Sequence, residues 1–201
     1  MVNKNTILFD LSEVLISGLL GVEKQLAEET NVPEQNVLRA LNDHQFLELL
    51  CGEISEEEYL TQTITAEGWN ISLERVKKLI RENFHNQVPG MEALLYRLKK
   101  GYSLVLVSDH AQEWIDHILS VHSFFRVFDY LFFSFQLHQT KRESSTYQKI
   151  LKTIDRKACE CLLIDDDNEN LISAQKVGIE GIRFTNIERL STELTRNGIN
   201  V

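Results

Sequence analysis

The sequence is poor in positive charge. Its 21 lysines and arginines face 30 aspartates and glutamates, for a net charge of −9. A nucleic-acid binder needs a basic patch or stripe, and none is present, so no nucleic-acid partner is expected. A negative chain also repels anions in general, so a phosphate-bearing ligand would have to be held by local donors and a metal. Cysteine is scarce: Cys51, Cys159 and Cys161. The last two stand one residue apart, a poor spacing for a disulfide or a zinc knuckle, and buried thiols in a reducing compartment are expected. No apolar run reaches the ~20 residues of a membrane helix. Met1-Val2-Asn3-Lys4 leads into a strand with no apolar signal-peptide region. The cytoplasm is therefore the expected location, without a membrane partner. His44, His85, His117, His122 and His138 lack metal-ligand spacing and read as surface or helix-face residues. Internal repeats and low-complexity segments are also missing.

What is present reads as a globular protein. Hydrophobic residues make up 43% and charged residues 25% of the chain, within the usual range for folded domains. Short apolar runs rich in β-branched and aromatic residues predict strands at Thr6–Phe9, Ser103–Val107, Tyr130–Phe135, Cys161–Ile164 and Gly181–Phe184. Their hydrophobicity is continuous rather than alternating, as in strands buried on both faces of a parallel sheet. Helical periodicity follows at Met91–Lys100, Gln112–Val121, Ser145–Ile154 and Asn170–Val177, with a terminal helix from Ile187 toward Val201. Gly101 and Gly178 are placed as helix-ending glycines. Phe124, Phe125, Phe128, Phe132 and Phe133 read as core. Alternating strands and helices imply an α/β fold with a doubly wound parallel sheet.

Residues 17–88 break that alternation. They hold no strand, but carry helical patterns at Val22–Thr30, Pro33–Leu50, Ser55–Glu67 and Ser72–Phe84. Ser55 and Glu58 have capping-box spacing, and Gly68 closes the third helix. The expected organisation is a core of residues 1–16 and 89–201 with a small helical bundle, 17–88, inserted after the first strand. An insert there would cover the carboxyl edge of the sheet, where open α/β folds bind ligands, and could exclude water or select substrates. Within it, Phe46, Leu49, Leu50 and Trp69 read as packing inside the bundle.

The strand ends carry the chemistry. The first gives Asp10-Leu11-Ser12-Glu13, the second Ser108-Asp109-His110, the loop after the third Thr140-Lys141-Arg142-Glu143, and the fourth Asp165-Asp166-Asp167. Carboxylates at buried strand ends are costly unless a cation neutralises them. One carboxylate, one small hydroxyl, one lysine and an acidic pair fit phosphoryl transfer. The carboxylate attacks phosphorus, hydroxyl and ammonium hold the equatorial oxygens, and the acidic pair anchors a metal. Oxygen ligands of this kind suit Mg²⁺. Asp167 is explained by the dipole of the helix it precedes and is left out of the site. His110, beside Ser108, is the one histidine considered for function.

These four motifs, in this order and with a helical insert after the first, resemble the haloacid dehalogenase superfamily, in its subfamily with a helical cap. Phe9-Asp10 with Val14-Leu15, and Ile164-Asp165-Asp166 with Asn170, are the most specific parts. Cys51-Gly52-Glu53-Ile54-Ser55 with Glu58 is similar to that subfamily's turn into a cap helix. The resemblance implies a Rossmann-like core and an Mg²⁺-dependent phosphatase acting on a small phosphorylated metabolite, such as a sugar phosphate. It implies Asp10 as nucleophile, Ser108 and Lys141 as phosphate-binding groups, and backbone N–H donors near Leu11, Ser12 and Asp109. It implies Mg²⁺ held by Asp10, the Ser12 carbonyl, Asp166, and Asp165 directly or through water. A monomer or homodimer is expected. Two departures stand out. Ser12 occupies the position where the family's phosphatases usually carry an acid/base aspartate, and Glu13, Asp109 and His110 are the neighbouring candidates to replace it. The lysine motif reads Lys141-Arg142-Glu143-Ser144, without its usual prolines. A catalytically impaired phosphate-binding protein and a metal-free dehalogenase are the alternatives.

Overall fold

The computed structural model describes residues 4–200; the expected limits at residues 1 and 201 lie outside the described residues. Five strands form one sheet: β1 (Thr6–Phe9), β2 (Ser103–Ser108), β3 (Tyr130–Phe133), β4 (Cys161–Asp165) and β5 (Glu180–Arg183). They pair in parallel in the order β3-β2-β1-β4-β5. Every residue of β1 and β4 is buried, which accounts for their unbroken apolar sequence. Alternate side chains serve opposite faces. Ile7, Phe9, Leu104, Leu106, Leu162 and Ile164 pack on one side. Leu8, Val105, Val107 and Leu163 pack on the other, against Tyr147, Ile150 and Ala174. The strand order reverses between β1 and β4, so the crevice outside their carboxyl ends is the binding position of a doubly wound sheet.

Between β1 and β2 lie the cap helices α1 (Val22–Thr30), α2 (Glu34–Leu41), α3 (His44–Leu50), α4 (Glu56–Glu67) and α5 (Leu73–Phe84). The core helices follow: α6 (Met91–Leu98), α7 (Gln112–Val121), α8 (Ser134–Leu137), α9 (Ser144–Ile154), α10 (Asn168–Gln175) and α11 (Ile187–Arg196). The chain leaves and re-enters the core side by side: Ser17 N–H donates to Asn86 O (2.8 Å) and Val88 N–H to Leu15 O (2.9 Å). The Ser55–Glu58 capping box forms as expected.

Local chemistry explains where the structure departs from the sequence pattern. The expected Pro33–Leu50 helix is two helices, because Asp43 Oδ1 accepts the Gln45 and Phe46 N–H groups at 3.0 and 3.2 Å and starts a new helix. The strand expected to reach Phe135 stops at Phe133; Ser134 Oγ instead takes the His110 N–H at 3.1 Å. Gly178 is left-handed, but Gly101 is not. Cys51 and Cys161 are buried, whereas Cys159 is exposed, and none is disulfide-bonded. His122 is no surface residue: it is buried, with Nε2 2.7 Å from Phe84 O.

One buried acid fastens the cap to the core. Glu56, 2% exposed, receives Arg81 Nη1 and Nη2 at 2.6 Å each from within the cap. It also receives Trp114 Nε1 from core helix α7 at 2.7 Å. Core Glu113 returns the contact by accepting the Glu56 N–H at 3.2 Å, which places a carboxylate at the positive end of α4. Removing one partner of a buried pair is costly because the others stay desolvated. Glu56→Ala is expected to lower the urea-unfolding free energy by about 3 kcal/mol, at the low end of the range for such pairs because Arg81 is partly solvated. A change under about 1 kcal/mol, within the range for exposed ion pairs, would mean that this contact does not hold the cap.

Candidate active site

The register of the sheet assembles the site. Phe9 lies opposite Leu106 on one side and Ile164 on the other, so the next residues along the three strands emerge together. Asp10 continues the ladder, its N–H donating to Ile164 O at 2.9 Å. Asp165 ends β4 and Ser108 ends β2. Lys141, from the loop before α9, reaches into the middle with only 3% of its surface exposed. Its Nζ lies 2.6 Å from Asp10 Oδ1 and 2.8 Å from Asp165 Oδ2. The structure therefore brings Asp10, Ser108, Lys141, Asp165 and Asp166 to one edge.

Each member is fixed by further bonds. The Lys141 backbone N–H donates to both Asp109 carboxylate oxygens, at 3.2 and 3.0 Å, so Asp109 holds the loop that lacks the usual prolines. Thr146 Oγ1 closes that loop by donating to Thr140 O at 2.7 Å. Asp165 Oδ1 accepts the Asp167 N–H at 2.9 Å, and Asn170 Nδ2 reaches both Asp165 oxygens at 3.1 and 3.2 Å. Asp10 Oδ1 takes the Leu11 N–H at 2.7 Å, so that donor faces the carboxylate itself. Asp167 caps α10 through the Glu169 N–H.

Burial and like charge dominate the electrostatics. Burial, then Asp165, pushes the Asp10 carboxyl well above the ordinary range, with Lys141 pulling the other way. Asp166 is raised by burial and by Asp165. Burial opposes the charge on Lys141, but Asp10 and Asp165 outweigh it and hold the ammonium above its usual value. Lys141 is therefore charged throughout the physiological range, and one cation serves three crowded carboxylates. Asp10, Asp165 and Asp166 each offer an oxygen, all within 4.8 Å of one another. Such a set of hard oxygen donors fits Mg²⁺, and a divalent ion among them would reverse the upward push on Asp10 and Asp166.

The Ser12 position is occupied in an unusual way. Glu13, at φ 58°, begins a tight turn after β1; a non-glycine residue held there costs about 1 kcal/mol. The turn brings Gly18 so close that a Cβ on it would stand 2.6 Å from Ser12 Oγ. Ser12 Oγ lies 3.0 Å from His110 Nε2, and His110 Nδ1 lies 2.6 Å from Ser108 Oγ. His110 is buried edge-on to Phe84 and Trp114. Burial, then the Lys141 charge, lowers it to about 3. It is a neutral imidazole with a single N–H, linking the two hydroxyls. Of the three neighbours considered for Ser12, His110 is the one that touches it; the Glu13 carboxylate turns to the Gly18 N–H at 2.7 Å.

The model of the haloacid dehalogenase-like hydrolases matches residues 7–184. The chain belongs to that family. A flavin mononucleotide hydrolase of Arabidopsis thaliana is 25% identical over 170 residues, 85% of this chain and 69% of that protein. A sesquiterpene phosphatase of Aspergillus oryzae is 31% identical over 96 residues, 47% of this chain and 49% of that protein. Among solved structures, a family enzyme of Bacteroides thetaiotaomicron, in complex with magnesium and inorganic phosphate, superposes with a TM-score of 0.76 at 20% identity, over 91% of this chain and 95% of the other.

In this hydrolase the strand ends form the floor of a cleft of about 1130 Å³, with cap residues as its far wall. Phe46 and Leu50, expected to pack inside the cap, line the cleft, whereas Leu49 and Trp69 are buried within the cap. Asn170 was legible only as part of a motif. Its spacing of five residues from Asp165, across the start of a helix, was the available sign of its role as a clamp. The family resemblance gave no sign of the wall residues Leu20, Leu38 and Leu47.

Asp109 yields a pH test. Burial raises it to about 6, against the pull of Lys141. A carboxyl raised on folding contributes stability below its unfolded pKa of 3.8 and loses it as pH rises through about 6. Asp109→Asn keeps an acceptor for the Lys141 N–H without the charge. In metal-free buffer, the unfolding free energy of the variant relative to the parent is expected to grow between pH 4 and pH 7. A difference independent of pH would rule out this account of Asp109.

Proposed function

We propose that the chain is an Mg²⁺-dependent phosphatase that hydrolyses a small phosphorylated metabolite through an aspartyl-phosphate on Asp10. The observation that carries this reading is the buried Lys141 ammonium between Asp10 and Asp165, with Ser108 on the neighbouring strand end. That arrangement places an anionic nucleophile beside donors for a transferring phosphoryl group. A relative named as a flavin mononucleotide hydrolase, one named as a sesquiterpene phosphatase, and a neighbour in complex with magnesium and inorganic phosphate support it. The setting proposed is the cytoplasm, as a monomer or homodimer, with no nucleic-acid or membrane partner; among the described residues no helix is long and apolar enough to cross a membrane.

In the proposed reaction Asp10 attacks phosphorus, and the bond to the ester oxygen breaks with its electron pair going to the leaving alkoxide, which takes a proton from solvent water and departs as the alcohol. Ser108 and Lys141 hold the equatorial oxygens, and backbone N–H groups of Ser12 and Asp109 add donors. Water then attacks phosphorus, the bond to Asp10 breaks, and the carboxylate is regenerated. Asp10, Asp166, Asp165 and the Ser12 carbonyl would hold Mg²⁺, which supplies charge screening between nucleophile and phosphate. Asp165 already spends its oxygens on Lys141, Asn170 and the Asp167 N–H, which favours Asp166 as the direct ligand. Ser12 has no useful pKa near 7, and His110, lowered to about 3, has none either, so the roughly 10²–10⁴-fold help of a general acid/base is lost at this position.

A phosphate-binding protein without turnover is the second reading, favoured by Ser12 alone. Metal-free dehalogenation is disfavoured because Asp165 and Asp166 would repel a carboxylate substrate. Asp10→Asn is expected to lower kcat for phosphate esters by at least about 10³-fold, and chelation of Mg²⁺ to abolish turnover of the parent. Halide release that persists in EDTA would instead establish the dehalogenase.

A further inference from the structure

Three large apolar side chains of the cap are exposed: Leu20 at 62%, Leu38 at 37% and Leu47 at 55%. Among the described residues 17–88 no other large apolar side chain is exposed. They come from separate segments, the loop before α1, helix α2 and helix α3, yet all three line the one cleft above Asp10. Phe46, Leu50 and Trp114 continue the same surface. Leucines left over from an imperfect cap core would be scattered over its outside; these converge on the phosphate site.

Charge narrows the occupant. No lysine, arginine or histidine of the cap lines the cleft. The lining cations, Lys141, Arg142 and Arg183, all come from the core. Lys141 is held by Asp10 and Asp165, Arg142 lies 3.3 Å from Asp167, and Arg183 donates to Asp166 O at 3.2 Å. The charged groups that the cap does supply are Glu23 and Asp43. A second phosphate or a carboxylate held toward the cap would face apolar wall and negative charge. The cleft, at about 1130 Å³, is roomier than the roughly 300–1,000 Å³ that encloses a drug-sized ligand, and far exceeds the need of a bare phosphate.

We infer that the site takes phosphate monoesters of an uncharged, apolar alcohol, with the phosphate on the floor and the hydrocarbon against the Leu20, Leu38 and Leu47 wall. The inference rests on the phosphatase reading of the floor and replaces the sugar phosphate expected from family resemblance. Such a substrate reaches the cleft already phosphorylated, and hydrolysis releases a free apolar alcohol and inorganic phosphate.

The test is a homologous series: n-butyl, n-hexyl and n-octyl phosphate, below micelle concentrations, against glycerol 1-phosphate and glucose 6-phosphate, with the full chain in Mg²⁺. kcat/KM is expected to rise about two- to fourfold per methylene, as for buried hydrocarbon, and Leu47→Lys, at an exposed position, is expected to flatten the rise. Turnover of all esters with no dependence on chain length, or with the sugar phosphate preferred, overturns the inference and leaves the phosphatase intact. Calorimetric binding of octyl against butyl phosphate to the Asp10→Asn protein reads recognition apart from turnover. If no ester is hydrolysed, the phosphatase reading fails. Tighter binding of the octyl ester then upholds the apolar wall, and equal binding overturns it.

Discussion

A single buried ammonium decides what the rest of this molecule has to do. Asp10 and Asp165 extend adjacent buried strands into a region where neither could remain charged alone. Lys141 makes that possible, at 2.6 and 2.8 Å from the two carboxylates. Much of the surrounding structure serves to keep it there. Asp109 holds its backbone, Thr146 closes its loop, and Asn170 orients the Asp165 carboxylate. The strand order places the two acids at the switch between β1 and β4, so the fold delivers the charges to one point before any ligand arrives. The Ser12–His110–Ser108 chain fills the other side of that point with neutral, hydrogen-bonded groups.

The cap follows a different logic. Its helices pack around Tyr59, Leu60, Val76 and Ile80, and the Glu56 carboxylate ties that packing to Trp114 in the core. The break at Asn42-Asp43 divides one hydrophobic pattern into two short helices, which turn Leu38 and Leu47 onto the same cleft. The core thus supplies the charged groups of the cleft floor, while the cap gives the cleft an apolar surface and no positive charge. In the proposed function, chemistry and selection come from different parts of the chain.

The core was legible because parallel strands buried on both faces read as unbroken apolar runs, and because Asp10, Ser108, Lys141 and Asp165 each follow such a run or its loop. Helix boundaries inside the cap were less legible. Asp43 sits within a periodic pattern, and whether an aspartate caps a new helix or faces solvent depends on tertiary position. The end of β3 depends on a hydroxyl of Ser134 meeting the His110 backbone, a contact between distant segments that no local pattern records. His110 itself stood beside Ser108 in sequence, but its link to Ser12 exists only once the turn at Glu13 folds back. The apolar wall was illegible for the same reason: Leu20, Leu38 and Leu47 look like any leucines until their shared exposure is seen.

The most direct test of the central claim is rapid acid quenching during turnover of a phosphate ester in Mg²⁺, followed by mass spectrometry of the peptide containing Asp10. Covalent phosphate on Asp10 is the predicted result. Steady turnover with that peptide unmodified and the phosphoryl group on another residue would contradict the account, because the carboxylate paired with Lys141 would then not be the attacking group.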